Sequence, residues 1–295
     1  MSNGTFPPPR RRPRGTLLIA LAVVVAVGVG GWLVWRPPAG GHSPAGAATS
    51  PAPGTTPTTG DDRPAPTGAP HAGLKGKTVL LDPGHNPHNR DHTAEIARSV
   101  DVGNDHKECD TTGTATNDGY AEADFTLDVV RRARALLEAA GARVVLTQDG
   151  DRPYGPCVDA RAAAGNRVRA DAAVSVHADG SVPGNRGFHV ILPARVSAGA
   201  ADTSRIVAPS RDLGTRLADH FATTTGSSRS NYLGHGTGLD VRSDLGGLNL
   251  STVPKVFIEC GNMRDPKDAA QLTDAAWREK AARGITEGIT DFLTR

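Results

Sequence analysis

Short, mostly apolar runs of β-prone residues, spaced between helical patterns, are the main feature of the sequence after residue 73. Three of these runs end at a side chain that can bind a metal or move a proton. The runs and the side chains that follow them are residues 78–81 with His85, residues 172–176 with His177, and residues 256–258 with Glu259. Such runs are typical of buried strands, and Pro83 and Gly84 mark the end of the first. Ligand sites of open α/β sheets lie at the carboxyl ends of strands, so these three side chains are predicted to meet there.

Helical and strand patterns alternate through the rest of this region. Between residues 125 and 140 apolar side chains recur at helical spacing, and Gly141 follows as a stop signal. Further strands are predicted at 143–147, 171–177, 187–192 and 255–260, a final helix near 273–293, and a long polar loop at 86–119. This alternation predicts an α/β fold, a single domain with a mostly parallel twisted sheet covered by helices on both faces.

The first 73 residues differ in composition from the domain predicted at 74–295. Residues 1–15 form a basic tail, and the uncharged apolar residues 16–35 are long enough to cross a bilayer as one helix. The arginines that precede this run place the tail in the cytoplasm and the domain outside the cell membrane. A signal peptide that is cleaved, leaving a secreted domain, is the alternative. Residues 36–73 are rich in Pro, Ala, Gly and Thr and are predicted to form a disordered linker.

The charge balance of the predicted domain differs from that of the whole chain, whose formal net charge is +2. Six arginines precede residue 74, which leaves 27 basic against 29 acidic side chains in the domain. A slightly acidic domain without a basic stripe argues against a nucleic-acid partner. A monomer is expected.

The three strand-end side chains suggest zinc chemistry. A catalytic zinc site needs three protein ligands and one open position, together with a carboxylate that handles a proton. His85 and His177 supply two imidazoles, and Glu122, in the first turn of the predicted helix, is the third candidate ligand. Stabilisation of the helix dipole is the alternative explanation for Glu122. Glu259 is costly to bury without a partner, so the sequence predicts a zinc hydrolase with Glu259 beside the metal.

Four segments resemble the motifs of the zinc-dependent N-acetylmuramoyl-L-alanine amidases of the type-3 family. They are Asp82-Pro83-Gly84-His85, the helix-opening Glu122, Ser175-Val176-His177-Ala178-Asp179, and the segment from Val253 to Glu259. The resemblance implies that the domain uses zinc-activated water to hydrolyse the amide between N-acetylmuramic acid and L-alanine in peptidoglycan. It also implies zinc ligands at His85, Glu122 and His177, with Glu259 as the catalytic carboxylate.

The chain departs from the common family pattern in the long loop, where Asn86 and Pro87 follow the first histidine and Cys109 lies further along. Together with Cys157, this loop is similar to an actinobacterial branch of the family, in which a disulfide ties the loop to the start of the next helix. Cys260 follows Glu259 on a strand and is therefore expected to face the core as a free thiol. Three reduced thiols are the alternative.

Further residues are weaker candidates for contact with substrate. Arg242 and Asn249 precede the last predicted strand and are candidates to line a groove for the peptide stem, whose carboxylates suit an arginine. His189 is a candidate at the border of the cleft, and an ordinary hydrogen-bonded sheet histidine is its alternative. Two other functions compete with the amidase. One is a zinc peptidase that cuts within the stem, and the other is a non-catalytic, membrane-tethered wall-binding protein.

Overall fold

The computed structural model describes residues 72–295, in which strands and helices alternate. The strands are β1 (Thr78–Pro83), β2 (Ser99–Asp101), β3 (His106–Glu108), β4 (Arg143–Leu146), β5 (Ala172–Asp179), β6 (His189–Pro193), β7 (Ser197–Ala198), β8 (Ala201–Asp202), β9 (Leu239–Arg242) and β10 (Lys255–Asn262). The α-helices are α1 (Thr93–Ile96), α2 (Glu122–Ala139), α3 (Val158–Val168), α4 (Val207–Thr225), α5 (Gly246–Asn249), α6 (Pro266–Thr273) and α7 (Ala275–Leu293).

Six of these strands form the central sheet, in the spatial order β4-β1-β5-β10-β6-β9. The first four are mutually parallel, whereas β6 pairs antiparallel with β10, and β9 pairs parallel with β6. In the register of the parallel strands, Pro83 lies opposite Val176, and His177 lies opposite Glu259. The carboxyl ends of β1, β5 and β10 therefore meet at one edge, as the sequence predicts.

Helices cover both faces of the sheet, but unequally. The long helices α2, α4 and α7 pack on one face, over the core that includes Val79, Val174 and Val256. On this face α4 and α7 approach closely, since a Cβ atom on Gly288 would lie only 2.6 Å from the Cα atom of Leu217. The short helices α3 and α5 cover the other face, with a smaller core around Leu80. The prediction of an α/β domain with a mostly parallel sheet is confirmed.

Three details differ from the predicted elements. The predicted final helix near 273–293 corresponds to α7, whereas α6 before it was not predicted. Asp274 leaves the helical conformation between the two, and its side chain accepts from the Ala276 amide to begin α7. Strand β9 was not predicted, and its four residues alternate too briefly to show a strand pattern. The loop at 86–119 contains α1 and the β2–β3 hairpin, so it is far more ordered than its polar sequence indicates.

The cysteines pair as expected from the resemblance. Cys109 and Cys157 form a disulfide, which ties the long loop to the residue that precedes α3. Cys260 in β10 is a free, buried cysteine in the core between the sheet and the helices α2, α4 and α7. Burial raises the pKa of its thiol well above the ordinary value, and the carboxylates of Glu259 and Glu122 raise it further.

The predicted basic tail, transmembrane segment and nearly all of the linker lie outside the described residues. Among the helices of residues 72–295, none combines the length and the apolar composition that a membrane crossing requires.

Candidate metal centre and active site

His85, Glu122 and His177 come together at the carboxyl edge of the sheet. One ligand atom from each lies within 4.8 Å of the others. His85 follows β1, Glu122 opens α2 and His177 lies in β5, so three separate elements supply the cluster. The two imidazole rings meet edge to face with their centroids 4.9 Å apart.

Glu122 faces both histidines and not only its own helix. Its Oε1 atom lies 2.9 Å from His177 Nδ1, and its Oε2 atom lies 3.2 Å from His85 Nε2. The backbone amides of Thr114 and Ala178 donate to the same two oxygens, at 2.9 Å and 3.2 Å. Burial raises the pKa of the Glu122 carboxyl, but the two histidines outweigh burial and hold it well below its usual range. A role in the helix dipole alone does not account for these contacts.

The charges of the cluster indicate what it can hold. Burial lowers the pKa of His85, yet the carboxylates of Glu122 and Asp110 raise it more, to about 10. The site therefore attracts positive charge, which a divalent cation would supply in place of the imidazolium proton. Two imidazoles and one carboxylate are a ligand set found in catalytic zinc sites, so the residues present fit zinc.

Glu259 lies in the same site, in a cavity of about 430 Å³ that His85, Glu122 and His177 also line. Among the described residues its Oε2 atom is buried without a hydrogen-bond partner. Burial raises its pKa well above the ordinary value, and the Glu122 and Asp179 carboxylates raise it further. A buried carboxylate oxygen without a partner is costly, so it indicates that a cation, water or substrate completes this site.

The weaker candidates for substrate contact differ in their access to the cavity, and Arg242 lies in its lining. Arg242 lines the same cavity, where its guanidinium pairs with both oxygens of Asp244 at 2.8 Å and 2.6 Å. A second cavity of about 540 Å³ adjoins it and also includes Arg242, Lys107 and His177 in its lining. Arg242 is therefore placed to meet a bound molecule, though its charge is already compensated by Asp244.

His189 and Asn249 are placed less favourably for direct contact. His189 is 1% exposed and lies opposite Glu259 across β6 and β10, with its Nδ1 atom unpartnered among the described residues. Burial lowers the pKa of this histidine. Asn249 is fully buried, and its side-chain amide donates to Asn104 Oδ1 and to the Ser243 carbonyl, at 2.8 Å and 2.9 Å. Asn249 thus joins two loops that border the larger cavity and does not face it.

Sequence reasoning missed the charged residues beneath the histidines. Asp82, Asp110, Arg161 and Lys255 are each 6% exposed or less and connect to one another through ion pairs. Asp82 and Lys255 carry a signal in the sequence, because a charge inside an apolar strand needs a buried partner. Arg161, in an alanine-rich helix, carries none.

Fold and site together define a class of protein. A mostly parallel α/β sheet carries two imidazoles and a carboxylate at its carboxyl edge, beside a second carboxylate with a raised pKa. This arrangement is that of a candidate metal-dependent hydrolase.

Comparisons with known proteins give the family. The model of a family described as N-acetylmuramoyl-L-alanine amidase matches residues 79–291. The N-acetylmuramoyl-L-alanine amidase Rv3717 of Mycobacterium tuberculosis is 40% identical over 227 residues, which cover 75% of this chain and 88% of that relative. The chain belongs to the N-acetylmuramoyl-L-alanine amidase family.

Two solved structures agree in fold. The N-acetylmuramyl-L-alanine amidase Ami1 from Mycobacterium smegmatis is 42% identical with a TM-score of 0.68, over 75% of this chain and 98% of that one. The apo form of Ami1 from Mycobacterium abscessus is 37% identical with a TM-score of 0.68, over 75% of this chain and 100% of that one. These relatives are actinobacterial, in agreement with the branch that the cysteine pair indicates.

Proposed function

We propose that this domain hydrolyses the amide bond between N-acetylmuramic acid and L-alanine in peptidoglycan. The observation that carries the proposal is the meeting of His85, Glu122, His177 and Glu259 in one cavity at the carboxyl edge of the sheet. The family and the names of the relatives support the identity of the bond.

In this proposal His85, Glu122 and His177 hold a zinc ion. When bound, zinc would act as a Lewis acid and would lower the pKa of water, so that water can lose a proton and attack an amide near neutral pH. Glu259 accepts the proton that the attacking water releases and then donates it to the nitrogen of the departing alanine. Burial raises the pKa of Glu259 above its ordinary value, so its carboxylate is a stronger base toward the proton of the attacking water.

The products of digestion test the reaction. Purified domain should release stem peptides with free L-alanine amino termini from isolated peptidoglycan, as read by mass spectrometry. Glu259→Gln is the matched inactive control, and it should bind zinc normally while turnover falls by about a hundredfold or more. Free termini on another residue would favour a peptidase that cuts within the stem. Near-normal turnover by Glu259→Gln would remove Glu259 from the mechanism.

Zinc content tests the ligand set. Glu122→Ala should lower bound zinc well below one ion per chain, as measured by atomic emission after dialysis, because two histidines alone leave the ion without a charged ligand. A chelator should abolish activity, and added zinc should restore it. Stoichiometric zinc in Glu122→Ala would instead return Glu122 to a structural role at the helix terminus.

We also propose that residues 16–35 anchor the domain on the outer side of the cell membrane, with residues 36–73 as a tether. The uncharged apolar run and the arginines before it support this orientation. The domain acts on peptidoglycan as a monomer in this proposal, and the four proposed site residues meet within one chain.

A further inference from the structure

Arg161 in α3 uses all of its hydrogen-bond donors, and most of them bind the turn that carries His85 or the carboxylates beside that turn. A guanidinium has five N–H donors. Nη1 donates to Asp82 Oδ1 and to the Pro83 carbonyl, both at 2.7 Å. Nη2 donates to the His85 carbonyl at 2.9 Å and to Asp110 Oδ2 at 2.8 Å. Nε donates to the carbonyl of Pro156 at 2.8 Å, so no donor is left over.

The backbone at His85 needs this support. Its φ angle is +60°, a left-handed conformation that residues other than glycine seldom adopt. The carbonyl of His85 accepts from Arg161 and also from the Gln148 side chain at 3.0 Å. Disfavoured backbone conformations persist only where the surroundings fix them, and these two donors fix this one.

The ring of His85 is held through the same arginine. His85 Nδ1 lies 3.1 Å from the Thr111 carbonyl and 3.3 Å from Asp110 Oδ1, and the other oxygen of Asp110 accepts from Arg161. Arg161 therefore holds the main chain of His85 directly and supports its ring through Asp110, which shares Nδ1 with the Thr111 carbonyl. Because Nδ1 is occupied in this way, Nε2 is the atom that faces Glu122, at 3.2 Å.

The second imidazole connects to the same buried charges. Lys255 Nζ lies 3.4 Å from Asp82 Oδ2 and 5.4 Å from the centroid of the Phe257 ring. Phe257 stacks on His177 at 5.3 Å with an angle of 16° between the rings. Asp82 is thus shared by Arg161, which holds the turn of His85, and by Lys255, which lies under the ring that packs on His177.

We propose that Arg161 is a positioning residue that sets the zinc affinity of the site by fixing the turn and the ring orientation of His85. The proposal rests on the zinc site of the proposed function. Groups that orient a metal-ligating histidine commonly change metal affinity by about 10- to 100-fold when they are removed. Lysine cannot replace this arginine, because an ammonium has three donors and lacks the planar fork that reaches both carboxylates and the three carbonyls.

The test compares zinc affinity and metal geometry with stability. Arg161→Lys should bind Zn²⁺ about 10- to 100-fold more weakly in competition with a chromophoric chelator. The visible absorption spectrum of the Co²⁺-loaded protein should also change, since it reports the arrangement of the ligands.

Two control variants accompany Arg161→Lys. Arg216→Lys replaces an ion-paired arginine of α4 on the opposite face, and Leu213→Ala removes a fully buried side chain from the same helix.

Both controls should keep the wild-type zinc affinity and Co²⁺ spectrum, even where Leu213→Ala lowers the melting temperature of the metal-free protein. An Arg161→Lys protein that loses melting temperature but keeps zinc affinity and spectrum would overturn the proposal and leave Arg161 a structural residue. If that variant does not fold, Asp110→Asn decides, because it keeps the bonds of Arg161 to Asp82 and the turn. Unchanged zinc affinity in folded Asp110→Asn would then overturn the part of the proposal that concerns the ring orientation of His85. Wild-type protein that binds no zinc would contradict the proposed function instead.

Discussion

At the scale of single residues, Glu259, the carboxylate proposed here as catalytic, is expected to cost the metal-free protein stability. Its Oε2 atom is buried without a partner among the described residues, and the negative charges of Glu122 and Asp179 raise its pKa. A side chain chosen only for stability would not be an acid at this position. The cost is consistent with a residue whose partners are water, substrate and a metal ion.

Glu259→Gln should therefore stabilise the metal-free protein at alkaline pH. The pKa of Glu259 in the folded protein lies above its ordinary value of 4.5, so the folded state binds this proton more tightly than the unfolded chain does. The stability that the proton provides is complete below about pH 4.5 and is lost as the pH rises through the folded pKa. Glutamine cannot ionise, so the variant should exceed the wild type by about 1–3 kcal/mol near pH 8.

Urea unfolding in the presence of a chelator, repeated between about pH 5 and pH 8, measures this difference. The advantage of the variant should shrink toward the acidic end of the range. A constant difference across the range, or a wild type that is more stable at high pH, would show that Glu259 is not buried as an acid with a raised pKa. Asp268→Asn is a useful comparison, because that buried carboxylate accepts from two backbone amides and its removal should destabilise.

At the scale of elements, the long loop depends on the disulfide. Residues 86–119 contain one short α-helix, one turn of 3-10 helix and a two-stranded hairpin, and the small core beside them includes Val102 and both bonded cysteines. Asp110 follows directly after Cys109, and Arg161 lies one turn into the helix that Cys157 precedes. The disulfide therefore joins the two segments whose side chains meet at His85.

Replacement of Cys109 and Cys157 by serine should lower stability by up to about 4 kcal/mol, since the bond closes a loop of 48 residues in sequence separation. The sheet should remain folded by circular dichroism, whereas protease sensitivity should rise within residues 86–119. Cys260→Ala, which removes the buried free thiol, is the control and should not change loop protection. Peptide mapping without reduction checks the pairing, and a peptide linked through Cys260 would contradict it.

At the scale of the whole molecule, the chain joins a folded enzyme domain to a segment of different composition. We expect full-length protein to sediment with membranes and to resist extraction by high salt, because residues 16–35 are apolar enough to span the bilayer. A chain that begins at residue 74 should remain in solution with the mass of a monomer by light scattering. Recovery of a shortened chain in the medium would support the cleaved signal peptide, and a dimer in solution would contradict the monomer.

The sequence by itself determined the parts that depend on local pattern. Apolar runs that end at His85, His177 and Glu259 predicted strands whose carboxyl ends meet, and the structure places all three side chains in one cavity. The helical spacing between residues 125 and 140 predicted a helix with Glu122 in its first turn, and Glu122 opens α2 in the structure. Parallel strands align their carboxyl ends, so position in sequence is enough to place such residues together.

Only the tertiary structure decided which buried charges support that site. Arg161 lies 51 positions from Asp110 and 79 positions from Asp82 along the chain, and no local pattern links it to either residue. The same limit applies to Asn249, whose polar side chain suggested substrate contact but is buried as a link between two loops. A hydrogen bond between distant residues depends on how helices and loops pack over the sheet. Sequence pattern specifies which face an element buries, whereas the packed chain alone specifies which side chains meet there.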